Sequence, residues 1–117
     1  MSYLDKRKAS FKFAGRGLTR LIREPNACIH AVAAVCVIAA GFIFSISATE
    51  WCLCILCIGA VFAAEGFNTA LEALCDRVSP EKHPLIATAK DVAAGAVLIT
   101  AIAAAAVGLI IFLPKIF

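Results

Sequence analysis

The sequence predicts an all-α membrane protein: an N-terminal amphipathic helix lying in the membrane interface, then three transmembrane helices. Three observations carry this expectation. The 117 residues are 62% apolar and 16% charged, whereas a soluble domain has about 45–50% and about 25%. A chain this short cannot hide such a surplus in a core of its own, and lipid is the natural solvent for it. The charge is also segregated: seven of the eleven basic residues fall in the first 23 positions, opposed there only by Asp5. A single domain over residues 1–117 is expected. Basic clusters can also serve nucleic acid, but so apolar a chain argues against that partner.

Residues 3–23 suit an interfacial helix. At 100° per residue Leu4, Phe11, Ala14, Leu18, Leu21 and Ile22 share one side, and Lys8, Lys12, Arg16, Arg20 and Arg23 the other. Phe13 falls outside this pattern, and Gly15 and Gly17 weaken the helix. Residues 26–48 form the first span, uncharged except for His30 near its start. About 20 apolar residues cross a bilayer, and Pro25 suits the first helical turn. After a short turn, Trp51 stands where an aromatic interface anchor belongs.

Residues 51–75 form the second span. Its first half is apolar; its second carries Glu65, Asn68 and Glu72, followed by Asp76. The polar loop after it holds Pro80, Glu81, Lys82, His83 and Pro84, and residues 90–113 form the third span, opening on Lys90 and Asp91. Three spans put the N-terminal segment and the 76–91 loop on one side with nearly all the charge, which by the positive-inside rule is the cytoplasm. Cys54 and Cys57 have a C-x-x-C spacing, but in lipid-like surroundings they read as small apolar residues rather than a redox or metal pair.

Glu65, Asn68, Glu72 and Asp76 are spaced i, i+3, i+7 and i+11, which puts them on one helix face. A carboxylate at membrane depth is costly and needs a partner or a cation. Polar glue between helices is the structural explanation, but such glue is usually a single Asn, Gln or Ser. Glu24, Asn26 and His30 begin the first span, and Lys90 and Asp91 the third, so all three spans bring polar groups to the same height. Clustered acidic oxygens suit a hard divalent cation such as Mg²⁺, and basic groups beside them suit phosphates. No phosphate-binding Gly-rich loop or soluble-kinase signature is present. The residues alone therefore point to a metal-dependent site at the cytoplasmic membrane interface. The competing reading is an oligomeric ion- or proton-conducting protein that uses Glu65 and Glu72. Asp76 reads either as a ligand or, preferably, as a helix-end residue paired with Arg77. His83 reads as a phosphate ligand or a solvated loop residue, and His30 as a hydrogen bonder between packed helices.

The stretch Ala64-Glu-Gly-Phe-Asn-Thr-Ala-Leu-Glu-Ala-Leu-Cys-Asp76 resembles the pattern E-x-x-N-[ST]-A-[IL]-E-x-x-x-D of the prokaryotic diacylglycerol kinase / undecaprenol kinase family. Ala89-Lys-Asp-Val-Ala-Ala-Gly-Ala-Val97 resembles its A-K-D-x-x-[AS]-[AG]-A-V. Ser10-Phe-Lys-Phe-Ala14, Gly17-Leu18, Glu24, Asn26 and His30 are similar to the upstream form seen in Gram-positive-type members, which leans toward undecaprenol as the acceptor. The likeness runs from about residue 9 to the end of the chain. It implies a homotrimeric ATP-dependent lipid kinase with active sites between subunits, in a bacterial plasma membrane. By the same resemblance Glu65 matches the general base that takes the lipid hydroxyl proton, and Glu24 and Glu72 match ligands of Mg²⁺. Asn68, Lys90 and Asp91 match residues that organise the ATP phosphates, Glu81, Lys82 and His83 a nucleotide-contacting loop, and Lys12 or Arg7 a further nucleotide contact.

Overall fold

Local capping chemistry sets where each helix begins. In the computed structural model, which describes residues 2–117, Ser2 and Asp5 form a capping box that starts α1, Tyr3–Ile22. Such a box satisfies two of the amide groups that a helix start leaves without partners. No residue of α1 is buried, and Leu4, Phe11, Leu18 and Ile22 present an open apolar face, as an interfacial helix requires. Phe13, outside that face, has the Arg16 guanidinium 5.7 Å from its ring centroid, a cation–π contact on the polar side of the helix.

Pro25 ends α1 and starts α2. The residue before a proline is pushed out of the helical region, and Glu24 accordingly has ψ 136° and serves as the N-cap of α2, Pro25–Ile43. This first span stops short of the expected residue 48. Ser45 adopts a left-handed φ of 50°, which helical backbone cannot contain. Ser47 and Glu50 then form a second capping box, so α3 starts at Ala48 and runs for 31 residues to Val78. His83 caps α4 by accepting the Leu85 N–H on Nδ1 at 3.1 Å. With Pro84 in the first turn, α4 starts before the expected residue 90 and runs for 33 residues, Pro84–Ile116.

Three helices, α2, α3 and α4, are long and apolar enough to cross a membrane. At 1.5 Å per residue α3 and α4 are about 46 and about 50 Å long, well beyond a hydrocarbon core of about 30 Å. Their surplus length lies at the end where the 79–83 loop joins them and where α1 meets α2, and this is the charged end. The other end is closed. Ile46, Cys54 and Ile111 form its buried core with Trp51, Phe44 and Phe112 packed around it, and Lys115 Nζ meets Glu50 Oε2 at 2.8 Å. α3 and α4 pack along their length, whereas α2 touches α3 more sparsely. An apolar cavity of about 540 Å³ lies between the three helices. All six cysteines are free, and Cys54 is buried in the apolar core as a small side chain.

Gly41 holds the closed end together. A Cβ there would stand 2.6 Å from Trp51 Cη2 and 3.1 Å from Ile46 Cδ1, and Trp51 also packs against Phe42, the rings tilted by 56° with centroids 4.9 Å apart. Gly41→Ala is therefore expected to destabilise the fold by about 1–3 kcal/mol, seen as a lower thermal midpoint in detergent. Gly59→Ala, with open space around it in the interior of α3, is expected to leave the midpoint in place or raise it slightly.

Candidate active site at the charged end of the bundle

The polar stripe of α3 forms because helical spacing puts Glu65, Asn68 and Glu72 above one another, and the neighbouring helices cover only part of it. Glu65 is 2% exposed and Asn68 6%, while Glu72, one to two turns further on, is exposed. The stripe passes from buried to open as α3 leaves the bundle. Gly66, beside Glu65, lies under Leu21 of α1: a Cβ on Gly66 would meet Leu21 Cδ2 at 3.5 Å. The interfacial helix thus crosses α3 at the level of the buried carboxylate.

Two buried oxygens in the stripe have no hydrogen-bond partner, Glu65 Oε2 and Asn68 Oδ1. The Asn68 amide is oriented by its Nδ2, which donates to Glu72 Oε1 at 3.3 Å, and this leaves Oδ1 as the free acceptor. An orphaned buried polar atom costs about 1–3 kcal/mol, so two side by side mark a place where stability gives way to something else. The nearest ionisable group to Glu65 Oε2 is His30 of α2, with Nε2 at 3.7 Å. The sequence presented His30 only as a packing residue. The signal was that it is the lone formally ionisable group of an otherwise uncharged span and needs a partner there.

The other expected site residues surround this stripe. Glu24 is half-buried at the α1–α2 elbow. Lys12 lies on the exposed face of α1, and Asp91 is exposed at the start of α4. Lys90 Nζ is held by Asp76 Oδ1 at 2.6 Å, which corrects the expectation that Asp76 pairs with Arg77. Successive helix residues point about 100° apart and do not face each other, whereas Lys90 projects from α4 straight across to α3. Glu81, Lys82 and His83 line an open pocket of about 590 Å³ with Asp76 and Lys90. Ser79 Oγ shapes that loop by donating to the Glu81 backbone carbonyl at 3.2 Å, and His83 keeps Nε2 free because Nδ1 is used in the cap.

Among the described residues, no three His, Cys, Asp or Glu side chains converge so as to hold a metal ion; Glu24, Glu65 and Glu72 do not form a closed cage within one chain. This donor set fits a Mg²⁺ ion that arrives with phosphates, because Mg²⁺ usually takes one or two protein carboxylates and fills its octahedron with waters and phosphate oxygens. The unpartnered Asn68 Oδ1 is a further hard oxygen beside them.

Residues 12–112 match the sequence profile of the prokaryotic diacylglycerol kinase family. The chain is 45% identical over 107 residues to an undecaprenol kinase of Bacillus subtilis strain 168, an alignment covering 91% of this chain and 87% of that protein. It is 38% identical over 107 residues to a diacylglycerol kinase of Synechocystis, covering 90% of this chain but only 61% of that longer protein.

The unmet oxygen on Glu65 has a measurable consequence. Glu65→Gln replaces a buried ionisable group by a neutral one of the same shape, and it is expected to raise the thermal midpoint in detergent. A fall in the midpoint would mean that the carboxylate contributes to the fold.

Proposed function

The chain belongs to the prokaryotic diacylglycerol kinase family and is a membrane lipid kinase, and from that premise we propose that it transfers the γ-phosphoryl group of ATP to the hydroxyl of a membrane lipid alcohol. The observation that carries the reading is a carboxylate, Glu65, buried at the height where the interfacial helix crosses α3, with one oxygen unused. The favoured acceptor is undecaprenol rather than diacylglycerol. The near full-length likeness to an undecaprenol kinase supports this, as does the Glu24, Asn26, His30 form of the first span.

Glu65 takes the proton from the lipid hydroxyl as the hydroxyl oxygen bonds to the γ-phosphorus. The bond from that phosphorus to the oxygen bridging it to the β-phosphate breaks, and ADP leaves with the electron pair. Phosphoryl transfer needs positioning and charge neutralisation more than covalent help. Lys90 and Asn68 serve the phosphates, with Asp91 organising the start of α4. Glu81, Lys82 and His83 serve the nucleotide in the open loop pocket, where a free His83 Nε2 supports a ligand role. Lys12, on the exposed face of α1, is within the basic segment that meets ATP from the cytoplasm. Glu24 and Glu72 would hold Mg²⁺, which when bound offsets charge on the phosphate oxygens. The partial donor set of one chain supports a homotrimer whose sites lie between subunits. The basic N-terminal segment supports a bacterial plasma-membrane protein with the charged end in the cytoplasm.

The test supplies γ-labelled ATP to the purified protein in bilayers that contain undecaprenol or diacylglycerol. Label is expected chiefly in undecaprenyl phosphate, and label in neither lipid would reject the kinase reading. Glu65→Gln is expected to lose at least about 100-fold in turnover while the assembly stays intact on gel filtration. Glu72→Gln is expected to move the Mg²⁺ titration to higher concentration; an unchanged titration would remove Glu72 from the ligand set.

A further inference from the structure

His30 is the one His, Asp, Glu, Lys or Arg between Pro25 and Phe44. An imidazole in an apolar helix carries a desolvation cost unless its N–H is used. Across from it, Glu65 Oε2 is a buried acceptor with nothing donating to it. The two unmet needs face each other: Nε2 and Oε2 are 3.7 Å apart, just outside hydrogen-bond range. Bonds of this kind are often long before substrate binds and tighten in the reacting complex. Phe62, one turn before Glu65 on α3, meets the imidazole edge-on at 6.3 Å and 76°, which limits its rotation away from α3. His30 also lines the apolar cavity between α2, α3 and α4, so it stands at the boundary between hydrocarbon space and the buried carboxylate.

We infer that His30 is a positioning residue for Glu65: its Nε2–H donates to Glu65 Oε2 in the reacting complex, fixes the rotation of the carboxylate and turns Oε1 toward the lipid hydroxyl. The inference rests on the reading of Glu65 as the base. It assigns His30 no contact with ATP and no share in proton transfer. The donor must sit where Nε2 sits. Glutamine can place an amide N–H near that position, asparagine places one near Nδ1 instead, and alanine places none.

The experiment compares the full chain with His30→Gln, His30→Asn, His30→Ala and Glu65→Gln in bilayers containing undecaprenol, reading kcat, the KM for MgATP, gel-filtration profile and thermal midpoint. His30→Ala and His30→Asn are expected to lose about 10- to 100-fold in kcat, the cost of a misplaced reacting group, with the KM for MgATP changed by less than about twofold. His30→Gln is expected to recover most of the kcat. Wild-type kcat in His30→Ala would overturn the inference, as would a loss confined to KM. Equal impairment of well-folded His30→Gln and His30→Asn would overturn it too. Should His30→Ala fail to assemble, the Gln and Asn pair carries the same decision. Glu65→Gln separates the two levels. If it turns over normally, the base reading fails and this inference fails with it. If it is inactive while His30→Ala is unimpaired, only the role of His30 is lost.

Discussion

A carboxylate at membrane depth must be paired, hydrated or neutralised, or else be held in place by the rest of the structure. Glu65 is buried, and one of its oxygens has no donor. The nearby arrangement follows from that constraint. α1 crosses α3 at the neighbouring Gly66, α2 brings His30 to within 3.7 Å, and Asn68 is turned so that its own carbonyl oxygen is also left open. Strain of this sort clusters where a protein binds or reacts. In the proposed reaction Glu65 Oε2 is met by His30 Nε2–H and Asn68 Oδ1 by groups around the bound phosphates, so the cost borne by the free protein is recovered only with substrates present.

Tight packing and the proposed chemistry lie at opposite ends of the bundle. The far end is tight: Gly41 admits Trp51, Phe44 and Phe112 lie 6.1 Å apart, and Lys115 closes on Glu50. The charged end is loose, with an open loop pocket and an ion pair between exposed Lys90 and Asp76. Exposed pairs of this kind contribute little to folding, so the Asp76 contact is better understood as a holder for Lys90 than as a clamp. Lys90 can exchange one carboxylate oxygen for phosphate oxygens at small cost, which suits the phosphate-binding role proposed for it.

The architecture was largely legible in the residues. Long apolar runs separated by polar breaks give three spans, and the alternation of basic and apolar faces gives the interfacial helix. The helix ends were less so. Hydropathy alone placed the start of α3 at Trp51 and of α4 at Lys90, while the chain carried stronger local signals: Ser47 three residues before Glu50, and His83 followed by Pro84. The stripe of Glu65, Asn68 and Glu72 could be read because its spacing lies within one helix. The pairing of Lys90 with Asp76, and of His30 with Glu65, could not, because each joins two helices whose relative rotation no single-helix spacing encodes. Asp76 and Arg77 are adjacent in sequence but point about 100° apart on α3, so adjacency along the chain carries no pairing.

The central claim is that the Glu65 carboxylate addresses the reacting phosphate through the lipid hydroxyl. It is tested most directly by solid-state NMR in bilayers, measuring dipolar coupling between carboxyl ¹³C of labelled glutamate and the γ-phosphorus of a non-hydrolysable ATP analogue, with the lipid alcohol present and the signal assigned by its loss in Glu65→Gln. With the reacting atoms about 3–3.5 Å apart, a coupling that corresponds to about 5–6 Å between Glu65 Cδ and phosphorus is expected. Absence of any coupling from Glu65, with nucleotide and lipid both bound, would contradict it.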